Sequence, residues 1–223
     1  MRIAVLISGR GSNMLSLAGS LPHDAVHIVL VAANTPCEGL DHAAGLGLET
    51  LLVDRATFAS KADHEAALGD AIEAVAVDWI CLAGYMPILS AAFVERFAGR
   101  IINIHPSLLP DFKGLDTHGR ALAAGVKHHG ASVHLVTAAL DDGPILLQAG
   151  LEMIPGEEAT SLASRVLKLE HMLYPFVIAS IANGDLTISG GSVFWKHQDM
   201  SLTRAGKAFE RVLGPAVIWP CSG

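Results

Sequence analysis

Between residues 3 and 104, short apolar runs alternate with stretches of helical spacing, an order that few architectures accept. Runs at 3–8, 26–33, 49–53, 79–83 and 101–104 read as strands. Helical spacing fills the gaps at 13–20, 40–46, 61–76 and 91–97, and in the third of these Leu68, Ile72 and Val75 share one face. The strands are continuously apolar rather than alternating, as expected of a sheet covered on both faces. Strand, helix and strand in succession imply right-handed crossovers, so the expected fold class is α/β with a doubly wound, mostly parallel sheet. A composition of 51% hydrophobic and 17% charged residues suits that burial. No apolar run approaches the ~20 residues a spanning helix needs, so no membrane role is expected. The first run passes directly into Gly9-Arg10-Gly11 without a cleavage site, and so reads as a strand and not a signal.

The pattern changes after Ile104. Residues 105–117 carry Pro106, Pro110 and Gly114 without a clear period and read as a long ordered loop, the kind that usually serves function. Strands are expected at 132–137 and 145–152, joined by a turn-rich connection, with His128 and His129 in a solvated turn before Gly130. A long helix at 160–181 follows, its apolar face formed by Leu162, Val166, Leu169 and Leu173, then a short strand at 186–189. The expected organisation is one domain, 1–190, and an extension, 191–223, in which Trp195, Trp219 and Cys221 belong to no motif.

Several chemistries are disfavoured. Cys37, Cys81 and Cys221 form no CxxC pair, which fits a reducing cytoplasm and offers no thiolate metal site. The eleven histidines include no HExxH motif, and no metal is expected. A net charge of −7 without a basic cluster argues against nucleic acid. No GxSxG elbow supplies a covalent nucleophile.

Three segments can carry chemistry. Ser8-Gly9-Arg10-Gly11-Ser12-Asn13 lies between a strand and a helix, where glycines admit a ligand and free amides attract an anion. A single phosphate fits better than a dinucleotide, because Met14 replaces the third glycine and Asn34 stands where an acid would be wanted. An ordinary turn with Ser12 or Asn13 as N-cap is the other reading. Asn103 and His105 are two apart at the carboxyl end of a strand and so face one way, an amide donor beside an imidazole that could hold an oxyanion and move a proton. The alternative is a turn-satisfying Asn and a structural His. Asp141-Asp142-Gly143-Pro144 is by itself a turn. Beside His105, its carboxylate would favour the imidazolium.

With these residues assembled, the chain resembles the phosphoribosylglycinamide formyltransferases from Met1 to about Asn183. The likeness rests on ordered blocks: residues 6–13, Leu82-Ala83-Gly84-Tyr85-Met86, residues 103–110, residues 129–134, residues 140–145 and Glu170-His171-Met172-Leu173-Tyr174-Pro175. It implies a Rossmann-like formyltransferase fold. It also implies that Gly11, Ser12 and Asn13 hold the phosphate of glycinamide ribonucleotide (GAR), that Glu170 helps bind that substrate, and that Asn103, His105 and Asp141 are the catalytic trio. The folate pocket would draw on Lys61, Met86, Pro87, Ile88, Leu89, Asn103, Thr137, Ala138, Ala139, Leu140 and Asp141. Members often carry Arg where this chain has Pro87, which lacks an N–H, and Arg where it has Lys61, which lacks a planar fork.

The implied activity is transfer of the formyl group of 10-formyltetrahydrofolate, a co-substrate, to the amine of GAR in purine biosynthesis. The amine attacks directly, Asn103 and His105 hold the oxyanion, and Asp141 assists proton transfer. Only small-molecule partners are implied, with a monomer or homodimer in the cytoplasm. The alternative is a formyltetrahydrofolate deformylase-type hydrolase, which normally has an added N-terminal domain for which Gly9 to Asn13, straight after the first strand, leave no room. Methionyl-tRNA formyltransferase would need a further domain and basic surface. A sensing protein without chemistry, or a dinucleotide oxidoreductase, fits the intact trio and Met14 less well.

Overall fold

Five consecutive side chains, Ile3 to Ile7, are fully buried, whichever face of the strand they point to. Only a strand covered on both sides permits that. It is β1 (Arg2–Ile7) of a computed structural model that describes residues 1–199 and 217–220. The chain forms two compact units, Met1–Asn103 and Ile104–Gly223.

In the first unit β1 pairs in parallel with β2 (His27–Ala33) on one side and β4 (Trp79–Leu82) on the other. Strand β3 (Thr50–Leu52) flanks β2, and residues Ile101–Asn103 of β5 (Ile101–His105) flank β4. The order β5-β4-β1-β2-β3 reverses between β1 and β4, and ligands in such sheets bind outside the strand ends at that reversal. Helices α1 (Ser12–Ser20), α2 (Glu38–Gly45), α3 (Lys61–Ala74) and α4 (Ala91–Arg96) make the crossovers. Helix α3 starts where Ser60 caps the Asp63 N–H and buries Leu68 and Ile72 as its spacing predicts. Every element expected up to residue 104 is present.

The second unit is antiparallel where the first is parallel. Strands β6 (His128–Leu135) and β7 (Ile145–Glu152) pair with Ala131 opposite Ala149, and β10 (Val217–Ile218) adds to the edge of β7. Helix α5 (Thr117–Ala124), which no sequence expectation included, ends at Gly125 in the left-handed region. That early stop corrects the reading of His128 and His129: the chain is already extended at His128, and His129 is 1% exposed within β6. Strand β6 accordingly begins at 128, not 132, and ends at 135, not 137. Helix α6 (Ala159–Asn183) buries Leu162, Val166, Leu169 and Leu173 as expected.

Beyond it, β8 (Leu186–Ser189) and β9 (Ser192–Trp195) form a hairpin. Trp195 stacks on Phe176 at 5.7 Å, meets the edge of Trp219 at 4.8 Å and donates to the Leu146 carbonyl. Part of the 191–223 extension is therefore fastened to the unit by an aromatic anchor. Residues 200–216 and Cys221 lie outside the described residues. Among the described residues no helix is long and apolar enough to cross a membrane.

Candidate active site

The glycine-rich loop after β1 is built from backbone. Gly11 is the N-cap of α1 at φ 75°, and no side chain caps the helix. The reading in which Ser12 or Asn13 serves as an ordinary N-cap is thus replaced: both are inside the first turn, where the N–H groups lack intrahelical partners. Two loop carbonyls are engaged by α2. Gly39 N–H donates to Gly9 O at 3.1 Å, and His42 Nδ1 lies 3.1 Å from Arg10 O, where only donation is possible. A Cβ on Gly11 would lie 2.9 Å from Gly39 Cα, so the close approach and the positive φ both require glycine. Asn13 is buried and Ser12 half-buried. Such a loop can accept an anion through amides aimed by a rigid turn.

The loop after β4 carries the folate candidates of the first unit. Tyr85 and Leu89 are buried, whereas Met86 and Ile88 are 64% and 61% exposed with Pro87 between them. Burial pushes the Tyr85 phenol up, with the nearby Glu65 carboxylate adding to it. Lys61 stands at the first turn of α3, and its Nζ is 3.6 Å from Glu65 Oε1. Asn103 is half-buried on β5, two residues before His105.

In the second unit His105 and Asp141 meet, although 35 residues, α5 and β6 among them, lie between the two. His105 Nδ1 is 3.5 Å from Asp141 Oδ2, and both side chains are buried to about the same depth. On the other edge of the ring, Nε2 is 3.1 Å from the Phe112 carbonyl, which can only accept. Acceptors thus face both ring nitrogens and fix the plane of the ring.

Asp141 is placed by the β6–β7 connection. Its φ is 48°, a left-handed value that a non-glycine residue adopts only when its surroundings hold it there. Two residues on, a Cβ at Gly143 would fall 1.8 Å from the Leu135 carbonyl, so only glycine lets the turn close this tightly. Asp141 Oδ2 also accepts the Gly114 N–H at 2.9 Å, while Lys113 pairs with Asp142. Those bonds tie the turn to the loop that follows His105. A buried set pins the same loop from beneath. Ser132 Oγ donates to Ser107 O and accepts from Leu109 N–H, and Gln148 Nε2 donates to Ser132 Oγ and Leu109 O.

One member of the cluster has no role in the sequence expectations. His134, 2% exposed at the end of β6, places Nε2 3.7 Å from Asp141 Oδ1 and donates from Nδ1 to Leu135 O. Burial lowers its affinity for a proton, partly offset by the Leu135 carbonyl and by Asp141. The available signal was a polar ring in an otherwise apolar strand end. Glu170, also buried, lies on α6. Thr137 to Leu140 are exposed along the connection. Among the described residues no group of three or more His, Cys, Asp or Glu is placed to hold a metal ion.

Known proteins resemble this chain over most of its length. The profile described as "Formyl transferase" matches residues 1–178. The phosphoribosylglycinamide formyltransferase of Escherichia coli is 40% identical over 189 residues, which cover 83% of this chain and 89% of that protein. A trifunctional purine biosynthetic protein of Drosophila melanogaster is 42% identical over 193 residues, 84% of this chain but only 14% of its own length. The crystal structure of the Coxiella burnetii phosphoribosylglycinamide formyltransferase aligns with a TM-score of 0.83 at 41% identity, covering 87% of this chain and 93% of that one. Its likeness supports the α/β, mostly parallel architecture. With residues 1–178 matched and identities near 40% over most of its length, the chain belongs to the formyl transferase family.

Proposed function

We propose that this protein transfers the formyl group of 10-formyltetrahydrofolate to the amine of glycinamide ribonucleotide. The amine nitrogen attacks the formyl carbon and gives a tetrahedral oxyanion. Collapse breaks the bond to N10 of the folate, and the proton lost by the amine goes to N10. Asn103 offers an amide N–H to the oxyanion, and His105 offers Nε2–H in place of its present bond to the Phe112 carbonyl. Asp141 stays at Nδ1, keeps the ring oriented, and helps order a water that carries the proton.

Gly11, Ser12 and Asn13 take the ribonucleotide phosphate, and Glu170 the glycinamide end. The folate is assigned to Lys61, Met86–Leu89 and residues 137–141. At Met86–Leu89 an exposed apolar pair suits a ring face, and Pro87 contributes a carbonyl but no N–H. The substrates are small molecules in a cytoplasmic setting, with a monomer or homodimer as the working form and no metal in the reaction.

The observation that carries this reading is the carboxylate of Asp141 3.5 Å from His105 Nδ1, with Asn103 two residues away on the same strand. The test is incubation with 10-formyltetrahydrofolate, with and without GAR, while formyl-GAR and free formate are followed. Formyl-GAR that appears only with the ribonucleotide is expected. Formate released at the same rate without it would establish the hydrolase instead.

A further inference from the structure

Two loops at the carboxyl end of the first unit's sheet, residues 8–11 and 84–90, meet through one side chain. Ser8 Oγ donates to Asn34 Oδ1 at 2.5 Å and accepts the Met86 N–H at 2.9 Å. With its proton committed to Asn34, the hydroxyl has a fixed orientation, and the lone pair it offers Met86 is fixed with it. The segment that carries Ser8 is itself held, because Gly39 and His42 engage the carbonyls of Gly9 and Arg10.

The 84–90 loop has no regular structure, so its shape depends on such anchors. At its far end Glu65, 5% exposed, accepts the Ser90 N–H at 3.0 Å with one carboxylate oxygen and the Ser90 hydroxyl with the other. Burying a carboxylate is costly unless it is well bonded, and here both oxygens bond Ser90 while Lys61 Nζ lies 3.6 Å from Oε1. Between the anchors, Met86 and Ile88 stand out to solvent around Pro87, whose missing N–H leaves that stretch one donor short of holding itself. Neither Ser8 nor Glu65 is among the residues assigned to bind or react.

We propose that Ser8 is a positioning residue shared by the two substrate sites. It holds Met86, and with it the folate-facing edge of the 84–90 loop, in register with the phosphate loop, while Glu65 secures the loop's other end. The inference rests on the formyl-transfer reading for the identity of the two ligands.

The test uses the full-length protein and three variants, Ser8→Ala, Ser8→Thr and Glu65→Ala. Tetrahydrofolate binding is measured by calorimetry, and kcat and both KM values by turnover. In Ser8→Ala the Kd for tetrahydrofolate and the KM for the formyl donor are expected to rise on the order of tenfold, as loss of one hydrogen bond does. The KM for GAR and kcat should move less than about threefold. Ser8→Thr, which keeps the hydroxyl, should restore most of the loss, and Glu65→Ala should share the alanine signature. If Ser8→Ala does not fold, Glu65→Ala decides.

Unchanged folate affinity in a variant whose parent binds tetrahydrofolate overturns the inference alone. Equal loss of both substrates together with melting temperature also overturns it, because that is the mark of general loosening. A parent protein that fails to bind tetrahydrofolate at all overturns the formyl-transfer reading and this inference with it.

Discussion

The glycine-rich loop and the His105–Asp141 cluster are the two candidate sites, and they are made from opposite materials. The first uses main chain: glycines at 9 and 11, uncapped amides at the start of α1, and carbonyls tied to α2. The second uses side chains carried on strained backbone. Phe112, Asp116 and Asp141 all hold positive φ without being glycine, and each lies in or next to the segments that frame His105. An anion with fixed charge needs only aimed dipoles, which backbone provides cheaply. Charge that develops during a reaction needs donors whose protonation and direction are set in advance, and that takes side chains from several places in the chain. The two regions should therefore fail differently when they are broken.

The largest effect is expected where chemistry depends on one donor. Asn103→Ala should lower kcat by ~10²–10³, with both KM values changed far less, because an oxyanion donor acts mainly in the transition state. Asp141→Asn should lower kcat on a similar scale, roughly 10²–10³, while the protein stays folded, since the amide oxygen can still accept the Gly114 N–H. Steady-state kinetics on both variants, with circular dichroism as a check of folding, measures this. A turnover within threefold of the parent in either variant would remove that residue from the chemical step.

How much of this was legible beforehand follows the same division. The first unit could be read element by element, because buried parallel strands are continuous apolar runs and crossover helices keep a 3.6-residue period. Its glycine-rich turn was visible as glycines between the first strand and the first helix. The second unit was read less well. Helix α5 has Gly119 in its first half and no side-chain cap, so neither pattern nor capping announced it. The start of β6 at His128 was hidden by the histidines, which look like turn residues until tertiary packing buries one of them. The pairing of Asp141 with His105 followed from a resemblance and not from spacing, since no local rule brings an αL aspartate in a turn to a distant ring. The roles of His134, Ser8 and Glu65 escaped because each acts through contacts that only the folded chain creates, and a single sequence carries no trace of such contacts.

The main-chain region should break through geometry instead of chemistry. Gly11→Ala forces a Cβ to 2.9 Å from Gly39 Cα at φ 75°, so about 1–3 kcal/mol of stability is expected to be lost. Any enzyme that survives should show a raised KM for the ribonucleotide with kcat largely kept, because the reacting groups are not touched. Chemical denaturation gives the first number and kinetics the second. A fall in kcat comparable to that of Asn103→Ala would show that the two regions are not separable in this way.

The smallest effect separates the two regions by acid. His129 is held down to about 4, chiefly by burial and then by the charge His118 would carry, while His118 and His134 are also lowered, burial again leading in both. In the unfolded chain such rings take up a proton near the ordinary imidazole value of 6.5. Between those two values the unfolded state binds more protons than the folded one, so stability must fall as pH drops from 6.5 towards 4 and be fully present above 6.5. All three rings belong to the second unit, and His129 and His134 lie in β6 itself. Amide exchange at pH 5 should therefore show β6 opening more often than at pH 7.5, with β1 nearly unaffected, alongside a modest drop in melting temperature. Substituting His129→Leu removes the group that declines its proton most strongly and should flatten the pH slope. A variant whose slope matches the parent's would move the acid sensitivity to the other rings that burial lowers, His118, His134 and His171, and equal opening of β1 and β6 would show that the two materials do not differ in their response to protons.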